Sequence, residues 1–265
     1  MSQAVVVARA ALAEHSRRRL TIFFLLASVL LTTPLVYLAR SPDAAGLTDS
    51  PRTLAALASL GILRYLALFA TIAVSMGNIG RPFASGEALT VLARPVARWQ
   101  FALGRLLGSV SFAVGLCLVL AVETTLVQLV AGGGLTAEIW GHWATTAFNL
   151  VLIAAIATLV SSIVGNPVLV AVTTYFAYLT INALGAVSRV VAAGSISSPL
   201  ARWFEMAHRV GPKLLPSPLA LQALTGGDGA PAGTLAVTPG LVAATSAWIV
   251  VLTVLALWVT SRKDA

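Results

Sequence analysis

From Leu20 to Ala39 no residue carries a charge, and the run matches the roughly 20 apolar residues that a helix needs to cross a bilayer. Hydrocarbon offers no water to backbone N–H and C=O groups, so a run of this kind has to satisfy them internally as a helix. Five further apolar runs follow: between Leu54 and Gly80, from about Ala102 to Ala131, from Trp140 to Gly165, from about Val168 to Val187, and from Leu241 to Val259. They account for a chain that is 58% hydrophobic and only 10% charged, where soluble domains carry about 25% charged residues. The expected architecture is an all-α polytopic membrane protein with six transmembrane helices in a single domain over 1–265. The first run is as long as a full span and no Ala-x-Ala site follows it, so it is expected to stay as an anchor.

The net charge of +8 does not form a soluble basic face. Its arginines sit at the ends of apolar runs, which makes the charge a topology signal and gives no reason to expect a nucleic-acid partner. Six spans put both termini on one side. With that side cytoplasmic, ten basic residues lie inside (Arg9, Arg17, Arg18, Arg19, Arg81, Arg94, Arg98, Arg105, Arg262, Lys263) and six outside (Arg40, Arg52, Arg189, Arg202, Arg209, Lys213). Positive-inside asymmetry therefore predicts cytoplasmic termini in an inner (plasma) membrane. Residues 1–19, with Arg9, Glu14, His15 and the Arg17 to Arg19 cluster, read as an interfacial helix on an anionic leaflet.

Gly104, Gly108, Ser111 and Gly115 share one face of the third span and predict a close helix–helix seam. Glu123, near that span's outer end, is expected to meet a cation or reach headgroups. Trp140 and Trp143 are read as interface markers. Gly165-Asn166-Pro167 is a tight turn, which returns the fifth span antiparallel beside the fourth. Residues 190–239 form an extracytoplasmic connection with two short interfacial helices, started by Ser198-Pro199 and Ser217-Pro218 and stopped by glycines.

Between spans two and three lies a charged, proline-punctuated connector, Gly80 to Gly108. Ser85 can cap a helix, Glu87 suits its first turn, and Ala88, Val91 and Leu92 share a face. Pro95 ends that helix and a new one is expected near Ala97, with Arg98 and Arg105 on one face and Trp99 and Phe101 in an interfacial belt. Physics alone leaves two readings open: a juxtamembrane anchor whose arginines hold lipid phosphates, or a docking element for a partner.

The run Gly86, Glu87, Leu89 to Leu92, Arg94, Pro95, Val96, Arg98, Phe101, Gly104 and Arg105 resembles the connector between spans two and three in permease subunits of type-2 ABC exporters. It differs from the usual pattern in having Gly86-Glu87 in place of Gly-Thr. In that family the connector is a coupling helix seated on an ATPase subunit. The resemblance implies a cytoplasmic coupling connector over 80–100, with Glu87, Arg94 and Arg98 as ATPase contacts. It further implies a second permease copy or related permease as partner, and ATP and Mg held by the partner ATPase, with no cofactor in this chain.

No chemistry of the chain's own competes with that reading. There is no P-loop, no His-Glu-x-x-His and no Gly-x-Ser-x-Gly, so no catalytic residues and no enzyme are expected. Cys117 is the only cysteine, and His15, His142 and His208 read as scattered over loops and termini, so no metal site is expected. The alternatives are a secondary carrier, for which Glu123 is the one intramembrane carboxylate, or a non-transporting membrane scaffold.

One more pattern bears on transport. Arg64, Thr71, Ser75 and Asn78 fall on one stripe of span two, and Thr174, Tyr178 and Asn182 form a lesser stripe on span five. Interhelical hydrogen bonding and a path lining are both open readings of such stripes. In the exporter family spans two and five border the central cavity, so the resemblance assigns these seven residues to a translocation path. Arg64 is expected to meet an anionic or amphiphilic headgroup; helix rise sets Glu123 about 10 Å higher, which disfavours their pairing.

Overall fold

The structure is a computed structural model that describes residues 3–17, 19–40, 51–84, 96–130, 137–192 and 239–262. Among them every regular element is a helix: α1 (Gln3–Arg17), α2 (Arg19–Arg40), α3 (Pro51–Ser75), α4 (Gly80–Ala84), α5 (Arg98–Val130), α6 (Ala137–Ile163), α7 (Pro167–Ala192) and α8 (Pro239–Ser261). Four stretches are long and apolar enough to cross a membrane: Ala58–Phe83, Arg98–Val130, Ile139–Ile163 and Val242–Ser261. The bent pair α1 and α2 supplies up to one more, and Pro167–Asn182 is a shorter apolar helix. The chain is a membrane-embedded helical protein with four to five such candidate spans among the described residues.

The expected connector helix with Ser85, Glu87 and Arg94 and the two short helices expected from Ser198-Pro199 and Ser217-Pro218 lie outside the described residues.

Helices α3, α5 and α6 form the centre. Leu63, Leu68, Leu116, Leu120, Leu152, Ile153 and Ile156 interlock there, with Phe24 and Tyr178 brought in from α2 and α7. The contacts between Asn78 and Thr158 and between Trp143 and Thr124 fix the directions: α6 runs parallel to α3 and antiparallel to α5. The turn after α6 is held by Asn166, whose Oδ1 accepts from the Val168 amide at 2.9 Å and starts α7. Three residues cannot carry the chain far, so α7 folds back beside α6 as expected. Outward faces stay apolar, as lipid allows: Leu118, Val122 and Leu126 on α5, and Val250, Val254 and Trp258 on α8.

The predicted seam on the third span is present in its first half. A Cβ on Gly104 would lie 2.6 Å from Val7 Cβ, and one on Gly108 would lie 2.6 Å from Ala11 Cβ, so α1 approaches α5 at a distance only glycine permits. Gly115 has nothing within 4 Å and Ser111 is exposed, so the seam ends where α1 does. The partner was not foreseen: the helix expected on a leaflet surface is packed along α5. That extra layer suits α5, whose 33 residues span about 50 Å against a hydrocarbon thickness of about 30 Å.

Several aromatic and histidine assignments change. Trp140 is exposed as an interface residue would be, but Trp143 is buried and donates from Nε1 to Thr124 Oγ1 at 3.2 Å. Trp99 is exposed, whereas Phe101 packs edge-on against Phe83 with ring centroids 6.1 Å apart. His142 belongs to no loop; it sits inside α6, buried and edge-on to Trp143. His15 is also buried, in α1 against Phe112.

Candidate functional site

Helical periodicity carries the four polar residues of α3 to one inward face, and all four are buried: Arg64 at 7% exposure, Thr71 at 1%, Ser75 and Asn78 at 0%. They do not share one environment. Thr71 turns its hydroxyl to the Ala67 carbonyl of its own helix at 2.8 Å, a common way to hide a hydroxyl in a span. Asn78 and Arg64 end in two different clusters, one at each end of the stripe.

Asn78 lies where α3 breaks. The helix stops at Ser75 and resumes as α4 at Gly80, which leaves backbone groups without helical partners. Side chains from other helices take them up. Ser161 Oγ accepts from the Ile79 amide at 3.2 Å and from the Gly80 amide at 3.0 Å, and Arg105 Nε donates to the Asn78 carbonyl at 3.1 Å. The Asn78 side chain donates from Nδ2 to Ser109 Oγ at 2.9 Å and to Thr158 Oγ1 at 3.3 Å, while Ser109 Oγ donates back to Oδ1 at 3.1 Å. Arg105 finally reaches Glu14 Oε2 at 2.5 Å, which ties α1 into the same knot. A break in a buried helix is therefore held by α1, α5 and α6 together, immediately before the connector.

The other end is built differently. Arg64 Nη2 donates to Tyr178 Oη on α7 at 3.3 Å, joining the two predicted stripes. Arg64 precedes Asn78 by as many residues as Ala144 precedes Thr158, so equal rise along parallel helices sets Arg64 level with His142, Thr145 and Thr146 of α6. His142 lies within electrostatic reach of the guanidinium. Among the described residues no carboxylate pairs with it. Among the described residues Glu14 is engaged by Arg105 and Glu123 accepts from Thr32 Oγ1 at 2.8 Å, so Glu123 does not close onto Arg64.

Polar atoms around Arg64 and below it are left over. Both ring nitrogens of His142, Thr146 Oγ1, Ser75 Oγ, Thr174 Oγ1 and Asn182 Oδ1 are buried without a hydrogen-bond partner among the described residues. Asn182 uses its Nδ2 on the Tyr178 carbonyl at 2.8 Å, which steadies the turn that carries the phenol. Each buried hydroxyl without a partner costs about 1–3 kcal/mol, so a surplus of them in one place calls for water or a ligand. Chemically the cluster offers, among the described residues, one permanent positive charge, hydroxyl groups and an imidazole.

Of the expected ATPase contacts, Arg98 is partly exposed at the start of α5, while Glu87 and Arg94 lie outside the described residues. Sequence reasoning missed His142 and Thr146, whose four-residue spacing on one face of an apolar helix was the available signal. It also missed Ser109, Thr158 and Ser161, which nothing local distinguishes from ordinary span hydroxyls. No known family model matches the chain, and no curated protein sequence matches it.

Proposed function

We propose that the chain is the permease subunit of an ATP-driven exporter of the type-2 ABC kind. It sits in the inner (plasma) membrane with six spans and cytoplasmic termini, and pairs with a second permease. ATP and Mg are bound by a separate ATPase chain, which seats on the 80–100 connector through Glu87, Arg94 and Arg98. The observation that carries this reading is the knot around Asn78. A docking connector is useful only if its displacement reaches the spans, and here the segment entering it is bonded to α5 and α6 and, through Arg105 and Glu14, to α1. A lipid anchor needs no such linkage. The path lies on the inward stripes of α3 and α7, where Arg64, Ser75, Thr174, Tyr178 and Asn182 face the interior.

The test is purification of the tagged chain from its own membranes in mild detergent. An ATPase chain and a second permease copy are expected to co-purify, and Glu87→Gln with Arg94→Gln is expected to cut the ATPase yield several-fold. Recovery of the chain with no ATPase under any gentle condition, or an ATPase bound equally by the double variant, overturns the proposed docking.

A further inference from the structure

Arg64 is a permanent cation placed well inside a membrane helix, thirteen residues into α3 (Pro51–Ser75) and therefore about 20 Å along it. A guanidinium has five N–H donors, and among the described residues one of them is used, on a neutral phenol at 3.3 Å. A charge in such a position faces a cavity or a partner of opposite sign. Among the described residues the groups level with it add donors and no negative charge: His142 with both ring nitrogens unengaged, Thr146 with its hydroxyl unengaged, and Tyr178.

The surface beside the cluster is apolar and open to lipid. Ile62, Tyr65 and Phe69 on α3 and Phe176 and Leu179 on α7 are exposed along the seam that Arg64 and Tyr178 bridge, and the Phe69–Tyr175 stack at 5.4 Å closes that seam below. A buried cation with an apolar flank matches a molecule with the same two halves.

We infer that Arg64, Tyr178, His142 and Thr146 form an anion site that holds the phosphate or carboxylate head of an amphiphile, whose tail lies on the α3–α7 seam. The guanidinium supplies charge and paired donors, the geometry that suits an oxyanion. Tyr178 keeps the guanidinium turned toward α7, and the hydroxyl of Thr146 and a ring nitrogen of His142 complete the ring of donors. As the cargo class of the proposed exporter this rests on that reading; as a binding site it stands on the geometry alone.

Radiolabelled dodecyl phosphate, bound to the full chain in phosphatidylcholine nanodiscs, tests it. Saturable binding is expected, with dodecanol a poor competitor and Arg64→Gln weakening the affinity about tenfold or more, as loss of a charge-assisted bond does. Arg64→Lys keeps part of the affinity, and Tyr178→Phe, a mild change that leaves packing intact, lowers it a few-fold. Displacement by phosphatidylglycerol in the disc identifies the head of a bilayer lipid as the occupant. Displacement by inorganic phosphate alone shows that the site takes the head without its tail. Equal competition by dodecanol, or unchanged binding in both Arg64→Gln and Tyr178→Phe, overturns the site. No ATPase enters this measurement, so its failure leaves the exporter reading standing, and failed ATPase co-purification leaves the site standing.

Discussion

Asn78 and Arg64 lie on the same face of the same helix and live in opposite circumstances. Around Asn78 the amide, the neighbouring hydroxyls and the exposed backbone groups of the helix break answer one another across four helices. Around Arg64 there are, among the described residues, one long hydrogen bond, a charge without a carboxylate, and imidazole and hydroxyl groups without partners. A polar network that satisfies itself fixes one packing; one that leaves donors over is a place prepared for something else. The contrast places rigidity at the connector end of the bundle and binding capacity at the other.

Breaking the satisfied end should cost most. Asn78→Leu removes both of the side chain's links and leaves Ser109 without the amide that answers it, a loss of about 2 kcal/mol at ordinary net hydrogen-bond values, or a melting shift of about 4–8 °C. Thermal unfolding in detergent measures it, and a shift under a degree would mean that the knot holds nothing. Next in size is the α1–α5 seam. Gly108→Ala forces its methyl against Ala11 Cβ and is expected to cost about 1–3 kcal/mol and to free α1 for limited proteolysis. Gly115→Ala, with nothing within 4 Å, should gain up to about 1 kcal/mol from helix propensity. Equal behaviour of the two would remove the seam from the account.

The open end should respond least. Arg64→Gln takes away a buried charge that no carboxylate among the described residues compensates, so its melting temperature is expected to stay within about 2 °C of the parent or to rise. A fall as large as that of Asn78→Leu would mark Arg64 as structural. Tyr178→Phe deletes one long bond and is expected to change stability by less than about 1 kcal/mol while still weakening dodecyl phosphate binding.

The buried stripe itself was legible, because a period of 3.6 residues is enough to set Arg64, Thr71, Ser75 and Asn78 on one inward face. Which of them would be saturated was not. The partners of Asn78 lie 31 and 80 residues away in sequence, on helices whose register no local pattern reveals. The glycine seam showed in the spacing of Gly104 and Gly108, yet its partner could not be chosen, since α1 carries enough charge to resemble a surface helix. Trp143 and Phe101 misled for a related reason: an aromatic near the end of a span reads as interfacial until a neighbouring helix covers it. The rise argument that kept Glu123 away from Arg64 succeeded because it used only geometry along single helices; Thr32 is the actual partner.

The most direct measurement of this division is thiol accessibility in the full chain in membranes, with Cys117 replaced by serine. Thr146→Cys and Thr174→Cys lie among the unpartnered groups near the level of Arg64, and Thr158→Cys lies in the knot, with all three positions equally buried to within 1%. If the interior around Arg64 is a wettable path and the knot is closed, a small charged thiol reagent modifies the first two and spares the third. Equal rates at all three positions, or protection of Thr146→Cys and Thr174→Cys, would contradict the account.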